Sequence, residues 1–149
     1  MRFVIQRVSE AQVTIEGRVK GKIGPGFVVL VGVGTEDDRA VAEKMVRKML
    51  HLRIFADGAG KTNLDIGAVG GSLLLISQFT LYADMRHGNR PGFTLAAPPE
   101  LANSLYEHVV ELCRREVPIV ETGEFGADMK VRLLNDGPFS VELVSGQPR

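Results

Sequence analysis

The sequence predicts an α+β fold in which a largely antiparallel or mixed sheet carries two main helices. Three observations lead there. Short apolar, β-branched runs recur between Gly- and Pro-containing turns, and only two stretches keep apolar residues at helical spacing. No repeat, linker or low-complexity tract divides residues 1–149, so one domain is expected.

Phe3-Val4-Ile5 and residues 11–15 read as two strands, and Glu16-Gly17-Arg18 turns the second into a hairpin with residues 19–23. Gly24-Pro25 is an ordinary turn before residues 27–33, whose unbroken apolar run predicts a strand buried on both faces. Thr35-Glu36-Asp37-Asp38 reads as a helix start, with Thr35 as cap and acidic side chains at the positive end of the dipole. Val41, Ala42, Met45, Val46, Met49 and Leu50 give this helix a buried face, opposite Lys44, Arg47 and Lys48. Residues 52–55 form a short strand and residues 56–63 a loop. Residues 72–76 form a buried strand that ends at Ser77-Gln78-Phe79-Thr80-Leu81. Pro98-Pro99-Glu100 opens the second helix, with Leu101, Leu105, Val109 and Leu112 as its core stripe. Residues 119–121, 129–134 and 139–144 are the closing strands.

Composition sets limits on function. Hydrophobic residues make up 44% and charged residues 24%, ordinary for a globular chain that buries a core without disulfides or metal. The single cysteine, Cys113, falls in a helical apolar pattern and reads as a packing residue. The formal net charge is zero, which argues against coating long stretches of nucleic acid but allows a grip on an RNA end. Arg86, His87 and Arg90 form a basic cluster that reads as a solvated loop. No basic-then-apolar leader and no membrane-length apolar run is seen, so the cytosol is the expected compartment.

The chain is poor in conventional catalytic groups. His51, His87 and His108 fall in no metal-ligand spacing, and His51 and His108 read as surface or edge residues of the helices. Gly60-Lys61-Thr62 resembles part of a phosphate loop, but position 55 is Phe where that motif needs Gly. No GxSxG elbow exposes a serine. Thr80 stands near a strand end, where functional groups often sit, yet a threonine without a base is a poor nucleophile. Its hydroxyl, like Ser77 and Gln78, bonds either to substrate or to neighbouring backbone. Asn135-Asp136-Gly137-Pro138 lies between two apolar runs and reads locally as a hairpin turn.

Taken together, Gln6-Arg7-Val8, Ser77-Gln78-Phe79-Thr80-Leu81, Asn89-Arg90-Pro91, Gly123-Glu124-Phe125-Gly126-Ala127-Asp128-Met129 and Asn135-Asp136-Gly137-Pro138 resemble the D-aminoacyl-tRNA deacylase family in order and spacing. Gly92 departs from its pattern, where serine is usual, as do Phe139 and Ser140, where Val-Thr is commoner. The resemblance implies a barrel-like sheet and hydrolysis of the ester joining a D-amino acid to the terminal adenosine of tRNA. It also implies that the vicinal 2′-OH of the RNA assists attack by water. The protein would supply backbone donors at Phe79 and Thr80, with Gln78 and Thr80 lining the pocket.

The same resemblance implies that Gly137 and Pro138, joined by a cis bond, enter the partner subunit's active site and reject L-aminoacyl groups, with Arg7 holding them in place. Ser77, Phe93, Met129 and Asn135 are the implied substrate-binding residues. A homodimer acting on the acceptor end of tRNA, without metal or other cofactor, is the expectation. A non-catalytic dimer that binds an RNA end or a small ligand is the second reading.

Overall fold

The structure, a computed structural model, describes residues 1–146. Strands β1 (Arg2–Ile15), β2 (Arg18–Ile23) and β3 (Gly26–Gly32) lead into helix α1 (Arg39–Leu50). A small hairpin of β4 (Phe55–Ala56) and β5 (Thr62–Leu64) precedes β6 (Ser72–Ser77), which runs into a 3₁₀ turn, Phe79–Tyr82. Helix α2 (Pro99–Glu116), β7 (Val120–Thr122) and β8 (Lys130–Val144) complete the order.

The main sheet runs β2-β1-β3-β6-β7, with β8 on the other edge of β1. It is mixed: β1 pairs antiparallel with β2, β3 and β8, whereas β3–β6 and β6–β7 are parallel. The sheet coils until it is nearly closed into a barrel. A Cβ on Gly21 of β2 would lie 3.1 Å from both Glu121 Cβ and the Thr122 carbonyl oxygen of β7.

Strand alternation sorts the apolar side chains into two clusters. Phe3, Ile5, Phe27, Val29, Leu73 and Leu75 face outward from the barrel, beneath α1 and α2. Val8, Val13, Val28, Leu74 and Ile76 fill its inside. Phe3 and Val8 lie on opposite faces because they differ by an odd number of residues. Ala11 shares Val8's face only because Ser9 is an extra residue: Val8 pairs with Asn135 and Glu10 with Leu134.

Several sequence expectations change here. The two separate N-terminal strands are one, β1, continuous through residues 6–10. The cap of α1 is Asp38, not Thr35: its carboxylate accepts from Val41 N at 2.9 Å. Asp37 is withdrawn from the helix to accept from the Met1 nitrogen (2.5 Å) and Gly34 N (2.7 Å). The strand expected at residues 52–55 keeps only Phe55, and the expected loop supplies its partner, β5. Asp57 shapes that turn by accepting from Ala59 N and Lys61 N, and those two bonds hold its carboxyl below the usual carboxylate range.

His108 is buried rather than at the surface, because α2 turns a broad face inward: Leu105, Tyr106, Val109, Val110 and Cys113 are buried with it, while Leu101 and Leu112 are only half-buried. It lies between Arg39 (3.0 Å from Nδ1) and Glu43 (3.4 Å from Nε2) of α1. His51 is exposed at the end of α1, and Cys113 is fully buried.

Candidate active site

The largest departure from the sequence reading is at Asn135-Asp136-Gly137-Pro138. The chain does not reverse there. Gln6 pairs with Ser140 and Val8 with Asn135, so the four residues 136–139 stand opposite the single residue Arg7. Strand β8 continues on both sides of a bulge that lifts Gly137 and Pro138 into solvent. A proline is tolerated here because it contributes no rung to the ladder.

Two side chains, Asn135 and Arg7, hold the bulge. Asn135 Oδ1 accepts from Phe139 N (2.6 Å), closing it from below, and Asn135 Nδ2 donates to Ser140 Oγ (2.9 Å). Arg7 Nε donates to the Asp136 carbonyl (2.9 Å) and Arg7 Nη1 to the Ile54 carbonyl (2.6 Å). The Arg7 guanidinium carbon lies 4.7 Å from the centre of the Phe139 ring. Gly137 has φ +144° and its peptide bond to Pro138 is cis. A Cβ at Gly137 would meet Phe139 N at 2.9 Å and Arg7 Nη2 at 3.2 Å, so both backbone angle and space select glycine.

The second group forms where β6 ends. Gln78 N donates to the Val31 carbonyl (2.8 Å), which carries the chain one residue past the ladder before the 3₁₀ turn begins. The first N–H groups of a helical turn have no partner within it. No hydrogen bond from Phe79 N or Thr80 N to another part of the described chain is formed. Gln78 Nε2 donates to Thr80 Oγ1, so the two polar side chains are oriented by one another. Phe79 is 56% exposed and packs edge-on against Phe93, with ring centres 4.9 Å apart, so the two large rings form an uncovered apolar surface beside those amides. Ser77 is half-buried at the strand end.

Beyond Phe79 and Phe93 the chain makes the loop from Asp84 to Gly92, closed by an antiparallel bridge between those residues. Arg86 Nε and Nη2 donate to the two Asp84 carboxylate oxygens at 2.8 and 2.7 Å, and this pair holds the Asp84 carboxyl down at about 2. His87 and Arg90 lie on the same loop and are exposed.

Met129 belongs to neither group. It is half-buried at the barrel mouth, with its sulfur against the Cα side of Gly123. Next to it runs a cleft of about 710 Å³ between α2 and β7, whose lining includes Tyr106, Arg114, Gly123 and Phe125. Tyr106 OH donates to the Leu75 carbonyl (2.7 Å), and burial pushes this phenol well above its usual range. Gly123 N donates to that same carbonyl (3.3 Å), so the cleft abuts β6 two residues before Ser77. The sequence reading assigned no role to Tyr106 or Phe125. The motif that contains Phe125 was visible, but its contact with α2 is tertiary.

One chain therefore brings Ser77, Gln78, Phe79, Thr80 and Phe93 together, and separately Arg7, Asn135, Gly137 and Pro138. It does not join the two. Phe3 pairs with Val31, where Gln78 is bonded, and Arg7 pairs with Phe27. Four strand residues separate them, about 14 Å at the usual rise. Among the described residues no group of three or more His, Cys, Asp or Glu side chains could hold a metal ion.

The family described as D-Tyr-tRNA(Tyr) deacylase matches residues 4–144. The chain belongs to this family. It is 52% identical over 145 residues to the D-aminoacyl-tRNA deacylase of Anaeromyxobacter dehalogenans (strain 2CP-C), covering 97% of each chain. It is 53% identical over 146 residues to that of Chlorobaculum parvum (strain DSM 263 / NCIMB 8327), covering 97% of this chain and 98% of the relative. Among solved structures it superimposes on c-Myc DNA Unwinding Element Binding Protein with a TM-score of 0.93 at 41% identity, covering 99% and 100% of the two chains. It shares its fold with a probable eukaryotic D-amino acid tRNA deacylase, with a TM-score of 0.85 at 14% identity over 95% and 97%.

Proposed function

We propose that this protein hydrolyses the ester between a D-amino acid and the terminal adenosine of tRNA, releasing the free amino acid and tRNA. The observation that carries the reading is the pair of unpartnered amides at Phe79 and Thr80, beside an exposed aromatic surface, in a chain of the deacylase family. Water attacks the ester carbonyl, assisted by the neighbouring 2′-OH of the RNA. The two amides receive the charge that develops on the carbonyl oxygen, and the bond to the 3′ oxygen breaks. Such preorganised donors are worth about 2.7–4 kcal/mol each in the transition state. This division of labour suits a site with no activated nucleophile among its side chains. Gln78 and Thr80 position the substrate, Ser77, Phe93 and Met129 bind it, and Asn135, whose side chain closes the bulge, meets it only with Gly137 and Pro138 from the partner subunit. The cleft beside Met129 has room and aromatic edges for the terminal adenosine.

Selectivity in this reading comes from exclusion. A pocket that prefers one small group over another gains about 1–3 kcal/mol. Sparing abundant L-aminoacyl-tRNA a thousand- to ten-thousand-fold needs about 4–5.5 kcal/mol. Main-chain atoms of Gly137 and Pro138, held by Arg7, make a wall against an L side chain. Because that wall is displaced from the amides in its own chain, the partner subunit supplies it and the working unit is a homodimer. Strand β8 suits that assembly: none of its residues is buried, and β1 is its only partner strand among the described residues. Aminoacyl-tRNA as substrate fits a cytosolic enzyme. No helix among the described residues is long and apolar enough to cross a membrane.

The test is deacylation of D- and L-tyrosyl-tRNA at equal enzyme concentration. Cleavage of the D ester at least a thousand times faster supports the proposal. Binding of both without ester loss would favour a non-catalytic RNA-end binder instead.

A further inference from the structure

We infer that Gly32 and Gly34 are positioning residues, forming a side-chain-free floor that sets the height of the 3₁₀ turn bearing the Phe79 and Thr80 amides. The inference rests on the deacylase reading of that turn and adds residues to it from the far side of the sheet end.

A Cβ on Gly32 would lie 3.0 Å from Leu81 Cβ, 3.2 Å from the Gln78 carbonyl oxygen and 3.3 Å from Leu81 Cδ1. A Cβ on Gly34 would lie 2.8 Å from three atoms at the hydroxyl end of the Tyr82 ring. Neither glycine has a φ in the left-handed region, so backbone freedom is not the reason for glycine at either position. Space is. The turn rests directly on the main chain where β3 ends, with no side chain between.

Beside this floor the turn is clamped by Arg2, which pairs with Gly32 across β1 and β3. Arg2 Nη1 donates to the Leu81 carbonyl (3.1 Å), and the Arg2 guanidinium carbon stands 5.0 Å from the centre of the Tyr82 ring. Tyr82 OH donates to Asp37 Oδ2 at 3.4 Å, the same oxygen that accepts from Gly34 N at 2.7 Å. Floor and clamp are thus bridged by one carboxylate. Within the turn, Leu81 N donates to the Gln78 carbonyl (3.3 Å), so lifting Leu81 moves the whole turn rather than one side chain.

Oxyanion donors act over a narrow distance range, about 2.7–3.1 Å from the developing charge. A methyl at Gly32 forces the turn up by a few tenths of an ångström, enough to take the donors out of that range. A misplacement of about 1 Å costs on the order of 100-fold in rate, so this smaller one should cost roughly tenfold. The loss should fall on kcat, because the aromatic surface and the α2–β7 cleft still hold the substrate.

The experiment compares wild type, Gly32→Ala and Arg2→Met by kcat and KM on D-tyrosyl-tRNA. It adds the Kd for D-tyrosyl-3′-aminoadenosine, an amide that is not hydrolysed, and the amide NMR shifts of Phe79 and Thr80. The expected result for Gly32→Ala is a kcat about tenfold lower, KM and Kd within about threefold, and displaced Phe79 and Thr80 amide signals. Arg2→Met, which leaves the core intact, should lower kcat several-fold in the same pattern and decides the matter if Gly32→Ala does not fold. A folded variant with wild-type kcat and unmoved amide signals overturns the inference, as does a kcat loss matched by an equal loss of binding. Failure of the wild type to cleave D-tyrosyl-tRNA counts against the deacylase reading alone, and the amide signals still report on the floor.

Discussion

The Nε of Arg7 donates to the main-chain oxygen of Asp136 at 2.9 Å, across the one point where four residues of β8 face a single residue of β1. The same guanidinium reaches the Ile54 carbonyl, so one side chain ties the bulge to the strand and to the segment before β4. Lysine keeps the charge but presents a single mobile point donor in place of a planar fork. Arg7→Lys should therefore loosen the wall formed by Gly137 and Pro138. Initial rates should show L-tyrosyl-tRNA cleaved roughly tenfold faster, with the D-tyrosyl rate within about threefold of wild type, the size expected for one or two charged hydrogen bonds at a partly exposed site. An unchanged L rate would separate Arg7 from selectivity.

Thr80 is oriented by Gln78 and has no base beside it, so its hydroxyl should contribute positioning only. Thr80→Ala should reduce kcat by less than about tenfold, within the range of one neutral hydrogen bond. Replacing the terminal 2′-OH of the tRNA by hydrogen should be far more damaging. Loss of many orders of magnitude in Thr80→Ala with binding retained would mark a nucleophile instead.

The separation of the two surfaces within one chain predicts that activity depends on assembly. Specific activity should fall on dilution in step with conversion of dimer to monomer in sedimentation. A monomer that is fully active and fully selective would contradict the split site. The interface expected for a stable dimer is about 1,200–2,000 Å², and the half-covered length of β8 is where it should lie.

Much of this architecture was legible in the sequence. The buried strands β3 and β6, the inward face of α1, the opening of α2 and the burial of Cys113 follow from apolar spacing and from Pro placement. What escaped depends on register. Ser9 and residues 136–139 are extra only relative to a partner strand, and no local pattern distinguishes a bulge from a hairpin turn when both use Asn, Gly and Pro. Thr35 and Asp38 are equally good caps by type, and Asp37's bond to the Met1 nitrogen shifts the helix start. His108 is buried because Arg39 and Glu43 on another helix satisfy its ring, which spacing along α2 does not reveal. The 3₁₀ turn at Phe79–Tyr82 and the close approach of Gly32 and Gly34 to it arise from tertiary packing that no local pattern displays.

Burial pushes the Cys113 thiol up to about 12 from its ordinary value of 9.0, with the Glu116 carboxylate adding to the shift. The folded chain thus holds this proton where the unfolded chain releases it. The stability it contributes is complete below pH 9 and falls as pH rises toward 12, at no more than about 1.4 kcal/mol per pH unit for one proton. Urea unfolding of wild type and Cys113→Ala across this window should give a shallower alkaline decline in the variant. The native thiol should also resist alkylation at neutral pH, and rapid modification of the folded protein would show that the site is open.

The central claim, selection by exclusion of an L side chain, is tested most directly by glycine. Glycine has no Cβ to meet the wall, whereas L-alanine differs from it by a single methyl directed at Gly137 and Pro138. Deacylation of glycyl-, L-alanyl- and D-alanyl-tRNA is measured at equal enzyme concentration. Rapid loss of the glycyl and D-alanyl esters with survival of the L-alanyl ester is the predicted result. A glycyl-tRNA as resistant as L-alanyl-tRNA would show that the enzyme grips a D side chain rather than excluding an L one, and would contradict the account.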